Sequence, residues 1–590
     1  MAAAMLAPGG REVPAPDIRA IGDAVLLADC RLDPDSGLKA KLDVPQDASV
    51  QDVLAAAWTR WGSGMAEHLR GDFAIAVWQP GQRCLTLMRD IMGTRPLFYT
   101  RAEDGLVAFS SLPGALVQAR LATGKPDPNA IDRMARMDLR TTADTGLLDI
   151  KRVRAGHVVR ITPGGLDETR YWALTCRNPI PDSADFDATA ATLRDKIATA
   201  VSRRLPPGDT PVATHCTGGL DSSLVSVLAA RAAPGRKVHG FANRPAYRPG
   251  DPAVIDATPY VNAVAQSEPD LNATFVEEMP VDDYAMASVF GHMPIVAMSD
   301  QVPYVAIAEQ AAERGAGMVL TGLGGDEIVS HQGGGAFMEW LLTGRWGRMW
   351  REARAKGEQD DRTTLAVLGR DVLRKLVPHS WTAKVAQWAG RRYSHHNIRF
   401  KPFLRGNPRM VDMTQTGLTT RSERLLVAGT EGALPWVAEI MALYAARHGV
   451  TCAHPFMDRD VMEFAIRLPA SFLLRDGTTR AIMRKLSSGI LPDMVRNGDK
   501  RRLDDATMVL RAAEGRDTFL DSIAQMRASG VETPINLDAL ENAVRALPDP
   551  DEHRARMDQA SRDGTQTREL EMAYLHAFML ARFMTGQDKR

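Results

Sequence analysis

One stretch constrains this chain more than any other: Val212-Ala-Thr-His-Cys-Thr-Gly-Gly-Leu-Asp-Ser-Ser-Leu-Val225. An apolar strand runs into Thr217-Gly218-Gly219, and a helix opened by Asp221, Ser222 and Ser223 leaves it. Paired glycines let the backbone turn sharply and bring its N–H groups close to a ligand. The helix that follows points the positive end of its dipole at the same spot, so the turn suits an anion. Thr217, Ser222 and Ser223 add hydroxyls for phosphate oxygens, and Asp221 is placed to hold a Mg²⁺ that meets those oxygens. The plainer alternative is a glycine turn with a serine-rich helix cap, which the strand before and the helix after both disfavour.

The surrounding pattern is α/β. Short apolar runs (Pro211 to Thr214, Val238 to Ala242, Met318 to Thr321) alternate with helical segments such as Leu224 to Arg231 and Tyr304 to Arg314. That alternation predicts a parallel sheet with helices on its faces. A second run, Val319-Leu-Thr-Gly322-Leu-Gly-Gly-Asp326-Glu327, ends another strand in an acidic, glycine-rich turn. Ligands of open parallel sheets sit at the carboxyl ends of strands, so Asp221 and Asp326 could share one metal; an ordinary glycine turn is the alternative. Beyond about residue 335 the pattern is mostly helical. Upstream, Phe73 to Trp78 and Leu85 to Met88 flank Gln79-Pro-Gly-Gln82, a hairpin signal. Phe186, Ala190, Leu193, Ile197 and Val201 mark an amphipathic helix after a polar stretch, Arg177 to Pro181. The expected organisation is a domain over 1–165, a linker over 166–184 and a second domain over 185–590, as a 590-residue chain is too long for one core.

Composition excludes more than it selects. Lys plus Arg (72) balances Asp plus Glu (72), so no global field points to nucleic acid or a membrane surface. Cys30, Cys84, Cys176, Cys216 and Cys452 are scattered without a C-x-x-C pair, against a disulfide framework or thiolate zinc site. With no signal-peptide pattern and no apolar run of spanning length, a cytoplasmic location is expected.

The segment T-G-G-L-D-S-S resembles the S-G-G-x-D-S pyrophosphate loop of the N-type ATP pyrophosphatases. With both loops in view the resemblance narrows to the asparagine synthetase and β-lactam synthetase family. Arg70 to Trp78 and Arg89-Asp-Ile-Met-Gly-Thr-Arg-Pro-Leu-Phe-Tyr99 look like its glutaminase domain, Gly322 to Glu327 like its second ATP loop, and His454-Pro-Phe-Met-Asp458 like its P-F-L-D segment. Leu491-Pro492 followed by Lys500 keeps the spacing of its essential lysine. The fold this implies is α/β. An N-terminal glutaminase-like (Ntn-type) αββα sandwich comes first, then an N-type ATP pyrophosphatase (adenine nucleotide α-hydrolase-like) parallel-sheet domain with a helical C-terminal part.

Carried over position by position, the resemblance assigns ATP and Mg²⁺ as cofactors. Asp221 and Asp326 would be the metal ligands. Thr217, Gly218, Gly219, Asp221, Ser222, Ser223, Gly322 and Gly324 would hold the nucleotide. Lys500 would meet charge developing at the α-phosphate, and Glu327 is the first candidate for a base, with His331 and His454 behind it. The departures matter as much. Met1 is followed by Ala2, Ala3 and Ala4 where glutamine-hydrolysing members expose a cysteine, Cys30 lies inside a predicted strand, and no R-G-P-D segment is found. The first domain is therefore expected to be a scaffold without glutaminase activity. Leu323 and Thr451 stand where the family's small-molecule enzymes carry groups thought to help deprotonate the amine.

The best-fitting group by resemblance is the lasso peptide cyclases, which adenylate an Asp or Glu side chain of a precursor peptide and close a macrolactam on its N-terminal amine. Their partners would be the precursor peptide and a leader peptidase, with no membrane and no nucleic acid expected. An ammonia-dependent asparagine or β-lactam synthetase is the alternative; a non-catalytic scaffold or a tRNA-binding protein of the same loop class is the alternative of another kind. Residues 341–410 bear on the last, holding 16 Lys/Arg against 5 Asp/Glu with Trp346, Trp350, Trp381, Trp388 and Tyr393 interleaved. They read as solvated helix faces over buried tryptophans, as a nucleic-acid surface, or as a docking surface for the peptide or peptidase.

Overall fold

The structure is a computed structural model and describes residues 18–102, 104–136, 138, 142–244, 257–277, 303–330, 335–373, 403–406, 432–498, 513–552, 555 and 571–585. Four layers make up the N-terminal part. A six-stranded antiparallel sheet has the order β1 (Ile18–Ile21), β2 (Ala24–Leu32), β3 (Gly71–Gln79), β4 (Cys84–Arg89), β8 (His157–Thr162), β9 (Gly165–Arg170). Beside it lies a three-stranded sheet with β5 (Phe98–Arg101) between β6 (Val107–Ser110) and β7 (Lys151–Arg152).

Period-2 alternation decides which residues go where. Phe73, Ile75 and Val77 of β3 pack with Val53, Leu54 and Ala57 of the helix Val50–Trp61. Ala74 and Ala76, on the other face, meet Leu85, Leu87, Val159, Leu97 and Tyr99. The expected αββα sandwich and the β3–β4 hairpin are both present. Strand β9 begins at Gly165 and pairs with β8 through Arg170, so the sheet runs past the expected boundary at residue 165. The polar composition of Gly165–Arg170 resembles a linker because this edge strand buries neither face.

The second domain is built on a five-stranded parallel sheet, ordered β12 (Leu271–Glu277), β11 (Val238–Arg244), β10 (Val212–His215), β13 (Met318–Leu320), β14 (Thr451–Ala453). Its strands are apolar on both faces because helices cover both. Val212, Val238, Leu320 and Ala453 join the core under helices Phe186–Arg203 and Leu220–Ala232. Ala213, Phe241, Val319 and Cys452 join the opposite core, under helices Pro303–Glu313 and Ala433–Ala446. The chain leaves β10 for β11 and β12 on one side, then returns to β13 on the other. The ends of β10 and β13 therefore form the topological switch point, where such sheets bind ligands. Among the described residues no helix is long and apolar enough to cross a membrane.

The two domains are pinned by buried charge. Glu439, 1% exposed on helix Ala433–Ala446, takes Arg89 at 2.7 Å and Arg152 at 3.0 Å, both from the N-terminal part. Arg89 also donates to the carbonyls of Gly93 (2.6 Å), Arg95 (2.8 Å) and Val153 (2.9 Å). Its neighbour Asp90 accepts the N–H groups of Met92, Thr94 and Arg95, each at 3.0 Å. The Arg89–Tyr99 motif is thus a folded bracket joined to the second domain. At a second joint, Arg204 bridges Asp458 (2.7 Å) and Asp72 (3.6 Å), while Arg203 reaches Asp35 (2.6 Å) and Asp460 (2.9 Å). Burial raises the Asp72 pKa, but Arg31 and Arg204 outweigh it and hold the carboxyl well below the usual range. Removing one member of a buried ionic cluster strands the others, so Glu439→Ala is expected to cost about 3–5 kcal/mol in urea denaturation. An exposed control, Glu358→Ala, should change stability by less than about 1 kcal/mol.

Candidate active site

The two glycine-rich turns meet at the switch point. Gly218 sits at φ +74°, which an L side chain rarely adopts, and a Cβ there would lie 2.8 Å from the Tyr260 side chain. A Cβ on Gly322 would lie 2.7 Å from the Ser222 nitrogen, and one on Gly325 would lie 2.5 Å from the Asp221 carboxyl carbon. The second turn therefore packs directly on the first because it lacks side chains there.

Helix Leu220–Ala232 starts at Gly219 with no side-chain cap, which leaves its first-turn N–H groups for a ligand. Within the turn, Ser222 Oγ lies 2.8 Å from Thr217 Oγ1 and accepts from the Thr217 N–H at 3.2 Å. Ser223 is fully buried, and its Oγ has no hydrogen-bond partner among the described residues. Beneath the turn, Ser226 Oγ ties Thr214 Oγ1 (2.7 Å) and the His215 carbonyl (3.0 Å) to the helix.

Asp221 and Asp326 are brought together by a residue that the sequence reading did not single out. Arg480 donates through Nη2 to Asp221 and pairs through Nη1 with Asp326 at 3.1 Å. The guanidinium is nearly buried, and its backbone is left-handed at φ 58°. A non-glycine residue held there marks a constrained position. The only sequence signal was one more basic residue in Thr478-Thr-Arg480, so nothing set it apart. Two carboxylates bridged by one cation form a donor set fit for Mg²⁺, which takes one or two protein carboxylates and completes its shell with phosphates and water. Among the described residues no group of three His, Cys, Asp or Glu fit for a metal occurs.

The remaining expected residues divide. Gly324, at φ +92°, donates its N–H to Glu327 Oε2 at 3.1 Å, so Glu327 braces its own turn. His454 is 1% exposed, with Nδ1 2.7 Å from Thr321 Oγ1, at the ends of β14 and β13. Leu323 is an apolar neighbour of both large cores, and Thr451 donates its hydroxyl to the Gly317 carbonyl at 3.3 Å. Asp458 caps helix Arg459–Ala465. Cys30 lies in β2, where burial and then Asp29 push its thiol up to about 12, so it stays protonated at neutral pH. Lys500 and His331 lie outside the described residues. In the basic stretch, Trp346 and Trp350 are 65% and 50% exposed, which overturns the buried-tryptophan reading for these two; Trp381, Trp388 and Tyr393 lie outside the described residues.

A parallel α/β sheet with a glycine turn opening a helix, and two carboxylates beside it at the switch point, has the arrangement at which such sheets hold ligands. The chain belongs to the asparagine synthase family, whose model matches residues 192–576, and a glutamine amidotransferase domain model matches 37–172. Asparagine synthetase [glutamine-hydrolyzing] 3 of Bacillus subtilis is 30% identical over 33% of this chain and 31% of its own length. Asparagine synthetase [glutamine-hydrolyzing] 1 of the same organism is 23% identical over 76% of this chain and 70% of its length. Amidase chyE of Penicillium rubens is 25% identical over 47% and 42%. The chain thus spans less than half the length of two of these three relatives.

Two predictions follow from the packing of the turns. Burial pulls His454 down to about 4 and His215, with His454 beside it, to about 3, so both stay neutral where the unfolded chain is protonated. A depressed histidine pKa makes stability fall as pH drops below the unfolded value near 6.5, until the folded value is reached. Between pH 6.5 and 5, His454→Gln should remove about 1–2 kcal/mol of the wild-type pH dependence, measured by denaturant titration at each pH. For Gly325→Ala, whose Cβ would strike Asp221, we expect at least a tenfold weaker Mg²⁺-dependent binding of a fluorescent ATP analogue, with an unchanged circular dichroism spectrum.

Proposed function

We propose that this chain is an AMP-forming ligase acting on a peptide. It would adenylate an Asp or Glu side chain of a precursor peptide and join it to the peptide's N-terminal amine, closing a macrolactam as lasso peptide cyclases do. A leader peptidase would be its pathway partner. The observation that carries the ligase reading is the pairing of Asp221 and Asp326 through Arg480 beside the uncapped helix start. Bound there, Mg²⁺ would supply charge neutralisation at the phosphates. The chain's own groups do the rest. The Thr217 and Ser222 hydroxyls, the buried Ser223 hydroxyl and the first-turn N–H groups would orient the nucleotide. Arg480 offers a planar fork of donors to anionic oxygens, and Lys500 would meet the charge that develops at the α-phosphate.

A peptide is favoured over a small amine by Leu323 and Thr451. One is packed against apolar cores and the other bonded to a carbonyl, so neither position offers a carboxylate or phenol to an ammonium substrate. His454 is too buried to reach an amine, which leaves Glu327 as the candidate base among the described residues. A second reading, an ammonia-dependent synthetase of asparagine or a β-lactam, is supported by the asparagine synthetases among the relatives.

The deciding measurement is mass spectrometry of candidate precursor peptides incubated with the protein, leader peptidase, ATP and Mg²⁺. Loss of one water to give a protease-resistant ring is expected, and Asp221→Ala should slow it at least about a hundredfold. AMP formation with aspartate and ammonium, but none with peptide, would establish the second reading instead.

A further inference from the structure

Helix Trp346–Gln359 has two unlike faces. Trp346 and Trp350, one helical turn apart, are 65% and 50% exposed, and Leu342 in the turn before them is 49% exposed. Large aromatics bury most of their surface in a folded chain, and a pair standing out on one stripe marks an interaction site. Tryptophan and arginine are also the residues that most often carry binding energy at interfaces.

Charge around the stripe is unbalanced. Arg345 and Arg348 share a single carboxylate, Asp182. Arg351 is exposed and forms no ion pair among the described residues, whereas Arg354 pairs with Glu358 and Lys356 with Asp360. The exposed surface therefore offers apolar anchors beside the guanidinium of Arg351, while the Arg345–Arg348–Asp182 cluster lies toward the hairpin side.

The opposite face of the same helix is fastened to the active site. Glu352, 7% exposed, accepts the Gly477 N–H at 3.0 Å, and Gln359 donates to the Asp476 carbonyl (3.0 Å) and Thr478 Oγ1 (3.1 Å). A Cβ on Gly477 would lie 2.6 Å from the Ala355 backbone. These contacts fix the tight hairpin of β15 (Leu474–Arg475) and β16 (Thr478–Thr479), and the next residue is Arg480.

We infer that the Trp346–Trp350 face is a docking surface for a peptide segment that combines acidic with apolar side chains, held on the helix that also positions the Asp221–Arg480–Asp326 centre. This rests on the reading that the substrate is a peptide, and it assigns recognition of that peptide to a place separate from the reacting carboxylate. The tryptophans take the apolar side chains, and Arg351 takes a carboxylate beside them.

The test uses the full chain and a displayed library of random 12-residue peptides, selected on wild type and counter-selected on a Trp346→Ala/Trp350→Ala variant. Enriched peptides should carry an excess of Asp and Glu together with aromatic or aliphatic residues. By fluorescence anisotropy, the best of them should bind the double variant at least tenfold more weakly and Arg351→Glu several-fold more weakly. A Trp346→Phe/Trp350→Phe variant should retain binding, and added salt should weaken it. Unchanged circular dichroism spectra exclude misfolding. No enrichment over the double variant, enrichment of basic peptides, or displacement of the bound peptide by tRNA would overturn the inference. Docking that persists in a protein forming no AMP with any peptide would sink the ligase reading and leave the surface standing.

Discussion

Everything at the site depends on two turns lying against each other at the ends of β10 and β13. The first must carry an acidic residue into the opening turn of a helix, and the second must carry another within reach of it. Side chains on Gly322 or Gly325 would push the turns apart by striking Ser222 and Asp221. Two carboxylates so close repel, and Arg480 offsets that repulsion by pairing with both. The same arrangement that would draw in a divalent cation is thus already balanced by a cation of the chain itself. A Mg²⁺ bound there, as proposed above, would compete with the Arg480 guanidinium for one pair of carboxylates.

Buried charge, together with apolar cores that both domains share, joins the domains. The joints centre on Glu439 and Asp458, each buried and each taken by two arginines. Apolar contact joins the same domains as well: Phe98, Ile131 and Ile150 share a buried core with Phe241, Trp436 and Ile440. The ionic joints add a single orientation, since each guanidinium must meet its carboxylate to be tolerated in the interior. The Arg89–Tyr99 motif, which resembles part of the family's glutaminase domain, also serves as a joint here, for Arg89 spends its donors on three carbonyls and Glu439.

Much of this was legible in the sequence. Glycines after an apolar run, followed by Asp and Ser, dictate a tight turn and a helix start whatever lies around them, and period-2 alternation in β3 forces one sheet face toward a helix. The paired loops and the α/β order followed from such local rules, and the αββα sandwich from the resemblance to the family's glutaminase domain. The three-residue β14 did not, because Thr451–Ala453 is too short to show a period and is a strand only by pairing with β13. Strand β9 was hidden for a related reason: an edge with both faces in water has no apolar pattern.

The sequence by itself determined the kind of turn, the candidate hydroxyls for an anion and the two acidic candidates, since these rest on backbone freedom and side-chain chemistry within a few residues. Tertiary structure decided which of them meet. Arg480 lies 259 residues from Asp221, and only the fold of the hairpin against helix Trp346–Gln359 delivers it there. The exposure of Trp346 and Trp350 was decided the same way, because a tryptophan's burial depends on what else packs over it.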